Sequence, residues 1–232
     1  MNIKDKIVLV TGASMGIGKA TAELLHEEGA KVALASRSVD KLKEIAAGMA
    51  DAFVIPTDMT KPDEVRRMVQ ETYNHYGRID VLVNNAGQGM HVPVEIADLD
   101  DLAYIMSLNF YGPLIAMQAV IPIMKKQGGG TIVNISSMVT KMILPSIGPY
   151  ASTKSALNML SLTARKELAD DGITVSLVYP RMTATNFHKN LRKGVIQTGR
   201  PEGQMPAIDP PEKVAARILH VIETGEAEEI LS

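Results

Sequence analysis

Six short apolar runs rich in β-branched residues recur along the chain, most of them followed by a longer amphipathic stretch. They are IVLVTG (7–12), KVALASR (31–37), DAFVIPTD (51–58), IDVLVNNAG (79–87), GTIVNISS (130–137) and ITVSLVYP (173–180). A strand that is apolar along its whole length has both faces covered, which is the condition of a parallel sheet lying between helices. Helical patterns run from about Gly18 to Glu28, from near Ser38, over roughly 100–126 and from about Tyr150 to Asp170. Thr60 is expected to cap a further helix, with Pro62 in its first turn and Asp63 three residues on. The alternation predicts a single α/β domain over residues 1–232 in three layers (α/β/α), a Rossmann-like doubly wound parallel sheet. The stretch from about Arg181 to Asp209 breaks the rhythm. It is polar and Gly/Pro-punctuated, and a loop of that length is expected to carry a substrate lid at 186–206.

Composition removes several classes of function. The formal charge of −2 gives no reason for a nucleic-acid or anionic-membrane partner. No apolar run approaches the roughly 18 to 20 residues that span a bilayer. The start, MNIKDKIVLVTGAS, passes from a short apolar run into a glycine loop and reads as a first strand rather than a signal peptide. Cysteine is absent, which excludes disulfides and thiolate chemistry and fits a cytoplasmic protein. The five histidines show no ligand spacing, so no metal is expected.

Between the first strand and first helix stands Thr11-Gly12-Ala13-Ser14-Met15-Gly16-Ile17-Gly18. Glycines there allow a tight turn and a close approach of backbone to a pyrophosphate, and the helix N-terminus adds free N–H groups. The spacing G-x-x-x-G-x-G departs from the common G-x-G-x-x-G, so position after a buried strand carries the reading, not the pattern alone. At the end of the second strand, Arg37 stands where an NAD-preferring site would place a carboxylate. A guanidinium pairs bidentately with a 2′-phosphate, which favours NADP(H) over NAD(H).

These residues, with Asp58, NNAG (84–87), Asn109, Ser137 and Tyr150-x-x-x-Lys154, occur in the order of the short-chain dehydrogenase/reductase family, whose compact single-domain branch the chain resembles. The resemblance covers residues 5 to about 186. It implies NAD(P)-dependent interconversion of a carbonyl and an alcohol, on a small-molecule ketone or secondary alcohol, in a homodimer or homotetramer. It implies catalytic roles for Asn109, Ser137, Tyr150 and Lys154. Cofactor contacts are implied at Gly12, Ser14, Met15, Gly16, Ile17, Gly18 and Arg37, and at Asp58 and Met59 flanking the adenine. Asn85, Ala86 and Gly87 would line the cleft and Asn84 would brace the strands. Pro180, Met182, Thr183 and Thr185 would meet the nicotinamide end, together with Tyr150 and Lys154.

The chemistry gives these residue types a reason. Hydride delivered to a carbonyl carbon leaves charge on oxygen, so a proton donor must lie within hydrogen-bond reach. An ammonium about 4 Å from the Tyr150 phenol, at an effective dielectric near 20, would favour tyrosinate by roughly 4 kcal/mol, about three pKa units. Ser137 would donate to the substrate oxygen, with Ser136 pointing away. Pro113 has no N–H for the Asn109 carbonyl, and a kinked helix is expected there, with that carbonyl holding a water that links Lys154 to solvent. One position departs from the resemblance: Arg181 follows Pro180 where the family has Gly. Arg181 either recognises an anionic or polar substrate group or turns to solvent. Candidate pocket walls are Gln88, Met90, His91, Met138, Met142, Ile143 and Leu144.

Overall fold

The computed structural model describes residues 1–194 and 208–231. Seven strands, β1 (Ile7–Thr11), β2 (Lys31–Ser36), β3 (Phe53–Pro56), β4 (Val81–Asn84), β5 (Gly130–Ile135), β6 (Ile173–Tyr179) and β7 (Glu228–Ile230), form one sheet in the order β3-β2-β1-β4-β5-β6-β7. Every neighbouring pair is parallel. The helices are α1 (Gly16–Glu27), α2 (Val39–Ala46), α3 (Pro62–Tyr76), α4 (Leu99–Met106), α5 (Gly112–Lys126), α6 (Gly148–Glu167) and α7 (Pro211–Thr224).

Because side chains alternate across a strand, each apolar strand feeds two cores. Val8 and Val10 of β1, with Val81 and Val83 of β4, meet Ala22 and Leu25 of α1 and Val214 and Ile218 of α7. Leu9, between them in sequence, belongs to the opposite layer with Leu82, Ile132, Met68 of α3, Val120 of α5 and Ala164 of α6. Fully buried side chains of this size each stabilise the fold by roughly 1.5–3 kcal/mol. The sheet reverses its winding between β1 and β4, so the crevice beyond their C-terminal ends is the place where open sheets of this type receive ligands.

Three local expectations are corrected. Thr60 does not cap α3. Its N–H and hydroxyl both bond the Asp58 carboxylate (3.0 and 2.8 Å), Lys61 takes the cap position, and Glu64 accepts the Asp58 N–H at 2.8 Å. The helix around Pro113 is not broken. It runs without interruption from Leu99 to Lys126, and the missing proline N–H is absorbed by a π-turn over Ser107–Tyr111, where the Gly112 N–H reaches the Ser107 carbonyl. That same helix is 28 residues long and holds an 18-residue window of mean hydropathy 1.3, so it is long and apolar enough to cross a bilayer by length and composition. Here Ile105, Met117, Val120 and Met124 are buried against the sheet and neighbouring helices, so its apolarity is that of a core helix.

Candidate active site

The glycine loop closes the crevice on one side. Gly12 has φ +66°, a conformation costly for any residue with a Cβ, and a Cβ there would sit 2.9 Å from the Ala86 Cα. The loop is tied to β4 by Asn85, whose N–H bonds the Thr11 hydroxyl (3.0 Å) and whose side-chain amide donates to the Thr11 and Gly12 carbonyls (2.8 and 3.3 Å). Asn85 therefore fixes the shape of the loop with its side chain. Ala86 adds a second N–H to the Thr11 hydroxyl at 3.1 Å. Asn84 bonds Asn134 across to β5 at 2.8 Å, the bracing role expected of it. Met15 stands in extended conformation before α1, no side chain caps that helix, and its first turn carries no acid. Uncapped N–H groups, a positive dipole end and a glycine backbone fit a dinucleotide phosphate.

At the ends of β2 and β3, Arg37 is exposed and donates to the Tyr104 hydroxyl at 3.2 Å. Burial pushes the Asp58 carboxyl up, but the Thr60 N–H and hydroxyl, with Arg37 and Lys61 nearby, outweigh it and hold the group below its ordinary value. The Met59 side chain is buried and packs against the face where Gly112 approaches, so it belongs to the core rather than to the crevice wall.

The proton-handling residues gather at the end of β5 and the start of α6. Proline at the head of α6 suits a position whose N–H has no partner, so Gly148-Pro149 lets the helix begin two residues before Tyr150. Tyr150 and Lys154 are both buried, one turn apart on one helix face. The Tyr150 phenol hydrogen-bonds the Ser137 side chain. Burial raises the phenol to about 12, and the Ser137 bond only partly opposes this. Burial also lowers the Lys154 ammonium to about 8, and its Nζ donates to the Ile135 carbonyl at 2.8 Å. The expectation that Lys154 brings the phenol down by three units is thus corrected: desolvation penalises phenolate and ammonium alike, and the lysine head is engaged by the strand.

Asn109 is completely buried within the π-turn. Its carboxamide accepts the Gln88 N–H (3.0 Å) and donates to the Gln88 carbonyl (2.9 Å) and the Thr153 hydroxyl (3.0 Å). Thr153 in turn donates to the Tyr150 carbonyl at 2.8 Å. A Cβ on Gly87 would come within 3.2 Å of Asn109 Oδ1 and 3.4 Å of Lys154 Nζ, which explains the bare backbone at that point. Ser136 turns away as expected, donating to Asn158 Oδ1, while Asn158 Nδ2 donates to Thr140 (3.1 Å), whose hydroxyl holds the Ser137 carbonyl (2.9 Å). Thr153 and Asn158 escaped the sequence reading. The signal for Asn158 was its place one turn beyond Lys154 on the same helix face.

The opposite side is made by residues 180–194. Thr185 lies against Gly16 (φ +54°), where a Cβ would meet its methyl at 2.9 Å. Asp209 pairs with this loop, donating its N–H to the Met182 carbonyl (2.8 Å) and accepting the Ala184 N–H (2.8 Å), with Thr183 buried between. A short 3-10 turn, Asn186–Asn190, follows, and Phe187 packs on Tyr150 with ring centroids 5.8 Å apart. Of the expected lid, residues 195–206 lie outside the described residues. Arg181 is exposed at the start of this segment. Met90 is buried beneath Tyr150 in a small cluster with Val92 and Ile105, whereas Met142 and Ile143 are exposed. Among the described residues, His220, Glu226 and Glu229 bring ligand atoms within 4.8 Å of one another, a grouping the sequence spacing did not suggest. His220 already faces Glu226 at 3.4 Å, and Glu229 faces Arg217 at 3.5 Å.

A doubly wound parallel sheet, a glycine loop at its switch point and Ser137 beside the buried Tyr150 and Lys154 together define a dinucleotide-dependent oxidoreductase. The model of the short chain dehydrogenases matches residues 6–195, and the chain belongs to that family of NAD(P)-dependent enzymes. An uncharacterised oxidoreductase of Staphylococcus saprophyticus is 35% identical over 229 residues, covering 97% of this chain and 93% of the relative. A 7α-hydroxysteroid dehydrogenase complexed with NADH and 7-oxo glycochenodeoxycholic acid superposes with TM-score 0.90 at 25% identity, over 100% of this chain and 95% of that one. A Burkholderia cenocepacia short chain dehydrogenase in complex with NADP superposes with TM-score 0.88 at 26% identity, over 100% and 98%.

Proposed function

We propose that the protein reduces a small-molecule ketone to a secondary alcohol with NADPH, Tyr150 acting as the acid. The observation that carries this reading is the buried phenol bonded to Ser137 beside Lys154 at the carboxyl end of the sheet. The dinucleotide, when bound, supplies the hydride. Gly12 to Gly18 would take its phosphates, Asp58 and the backbone of Met59 its adenine, and Asn85 to Gly87 the floor beneath it. Pro180, Met182, Thr183 and Thr185 would hold the carboxamide end.

The rest is done by the chain's own groups. With its phenol near 12, Tyr150 keeps its proton at neutral pH and can give it to the oxygen that gains charge. Ser137 orients that oxygen by a second hydrogen bond. Lys154 would pass a proton back to the phenolate left behind and be resupplied in turn through a water held by the Asn109 carbonyl. Arg37, exposed at the mouth of the crevice, supports a preference for a phosphorylated ribose. Arg181 is read as the contact for an anionic or polar substrate group, and the protein as a cytoplasmic homodimer or homotetramer.

Absorbance of the nicotinamide, followed over a panel of ketones with NADPH and NADH, tests the reading. Tyr150→Phe should lower turnover by about 10²–10⁴-fold while dinucleotide affinity stays within about twofold. Undiminished turnover in that variant would overturn the mechanism.

A further inference from the structure

Residues 186–193 cross the crevice from one bank to the other. The strap starts against Gly16 at Thr185, passes Met15 through Asn190 (Nδ2 to Sδ, 3.8 Å), and reaches Gln88, whose side chain donates to the Asn190 carbonyl. It then pairs with the loop after β4: the Arg192 N–H bonds the Gly89 carbonyl (2.8 Å) and the His91 N–H bonds the Lys193 carbonyl (3.0 Å). Gly89 has no room for a Cβ, which would meet Leu191 at 2.8 Å and Phe187 at 2.9 Å.

The far end is fastened by two side chains of α4. Arg192 Nε lies 2.6 Å from Asp101 Oδ1, and Lys193 Nζ lies 3.9 Å from Oδ2 of the same carboxylate. The Arg192 guanidinium stands over the Tyr104 ring, 4.3 Å from its centroid. Asp101 is in the first turn of α4, where the helix dipole favours its charge. The Tyr104 hydroxyl is meanwhile the acceptor for Arg37. One aromatic side chain thus carries a guanidinium on its face and another at its edge, one from the strap and one from the end of β2.

We propose that Asp101 and Tyr104 are positioning residues that latch the strap across the cofactor crevice and over Tyr150. Tyr104 further joins that latch to Arg37, so that recognition of the adenosine end and closure over the reacting end are one event. The proposal rests on the dinucleotide reading of the crevice for its second half only. A phosphate that draws Arg37 from the phenol changes the hydrogen bonding of the ring under Arg192. An unphosphorylated ribose leaves that bond in place.

Timed trypsin digestion, with the fragments read by mass spectrometry, follows cleavage after Lys189, Arg192 and Lys193. Without dinucleotide, Asp101→Asn and Tyr104→Leu should speed cleavage at these sites about three- to tenfold, leaving sites elsewhere unchanged. Tyr104→Phe keeps the ring and should stay within about twofold of the parent. With saturating dinucleotide, the parent strap should be cut at different rates under NADPH and NADH, and Tyr104→Phe should abolish that difference. Parental cleavage rates in Asp101→Asn and Tyr104→Leu, or faster cleavage at every site alike, overturn the latch. A parental NADPH–NADH difference in Tyr104→Phe overturns the link to Arg37. Failure of either dinucleotide to bind, read by nicotinamide fluorescence, sinks the functional reading and the link together, while the digestion without dinucleotide still decides the latch.

Discussion

On the inner bank of the crevice, from Thr11 through Asn85 and Asn109 to Lys154, side chains sunk into the protein bond backbone carbonyls and N–H groups. On the outer bank, from Arg181 to Gly194, the strap is fastened by ion pairs that reach the surface, such as the partly exposed Arg192 on Asp101. A buried polar atom that loses its partner bears its full desolvation cost, whereas an exposed ion pair exchanges its partner for water. The inner bank is therefore fixed in one arrangement by the cost of any other. The outer bank can open and close at small cost, which suits the side through which cofactor and substrate must pass.

The contrast can be broken most forcefully at Asn109. Asn109→Ala strands the Gln88 N–H and carbonyl and takes a donor from the Thr153 hydroxyl, and should destabilise the fold by roughly 1–3 kcal/mol in urea unfolding. A loss as small as that of Asp101→Asn would erase the distinction between the banks. Next comes the pH dependence of stability. Lys154 drops from 10.5 to about 8 on burial, so between those values the unfolded chain binds a proton the native state has released. Stability should climb with pH across that window, and Lys154→Met should flatten the climb. Tyr150, raised by burial from 10.0 to about 12, acts in the opposite sense above pH 10. Arg37→Ser should shift the ratio of NADPH to NADH affinity by about tenfold toward NADH, measured by fluorescence titration, with no change in unfolding. The smallest effect belongs to Arg181→Gly. Stability should move by no more than about 0.5 kcal/mol, while relative rates on acidic and neutral ketones change. Unchanged relative rates would leave Arg181 a solvated side chain.

Strands β1 to β6 and the helices between them were legible because their apolar runs are continuous and the helical periods long. β7 is three residues with alternating exposure, too short and too polar to stand out. The Tyr150–Lys154 pair was readable from helical spacing, and the meaning of Gly148-Pro149 as a helix start came with it. The electrostatics were not. The phenol's rise and the ammonium's fall follow from burial, and burial follows from packing between Phe187, Met90 and β5, none of which a local pattern records. The π-turn was half legible: Pro113 announced a missing donor, but whether a helix answers with a kink or a slipped ladder depends on what packs around it. The Arg192–Asp101 pair joins residues 91 positions apart, and no reading of neighbours along the chain can find it.

The bond from the Asn85 N–H to the Thr11 hydroxyl spans 74 residues. The phosphate loop is shaped from outside itself: the Ala13 N–H bonds the Ala35 carbonyl of β2 at 3.3 Å, and the Asn85 amide bonds the Thr11 and Gly12 carbonyls. A segment holding every glycine of the loop but lacking β4 would lack the Asn85 ties that set its arrangement. Recognition of a phosphate is thus something the loop has only in company: its glycines permit the shape, and a strand from the middle of the sheet imposes it.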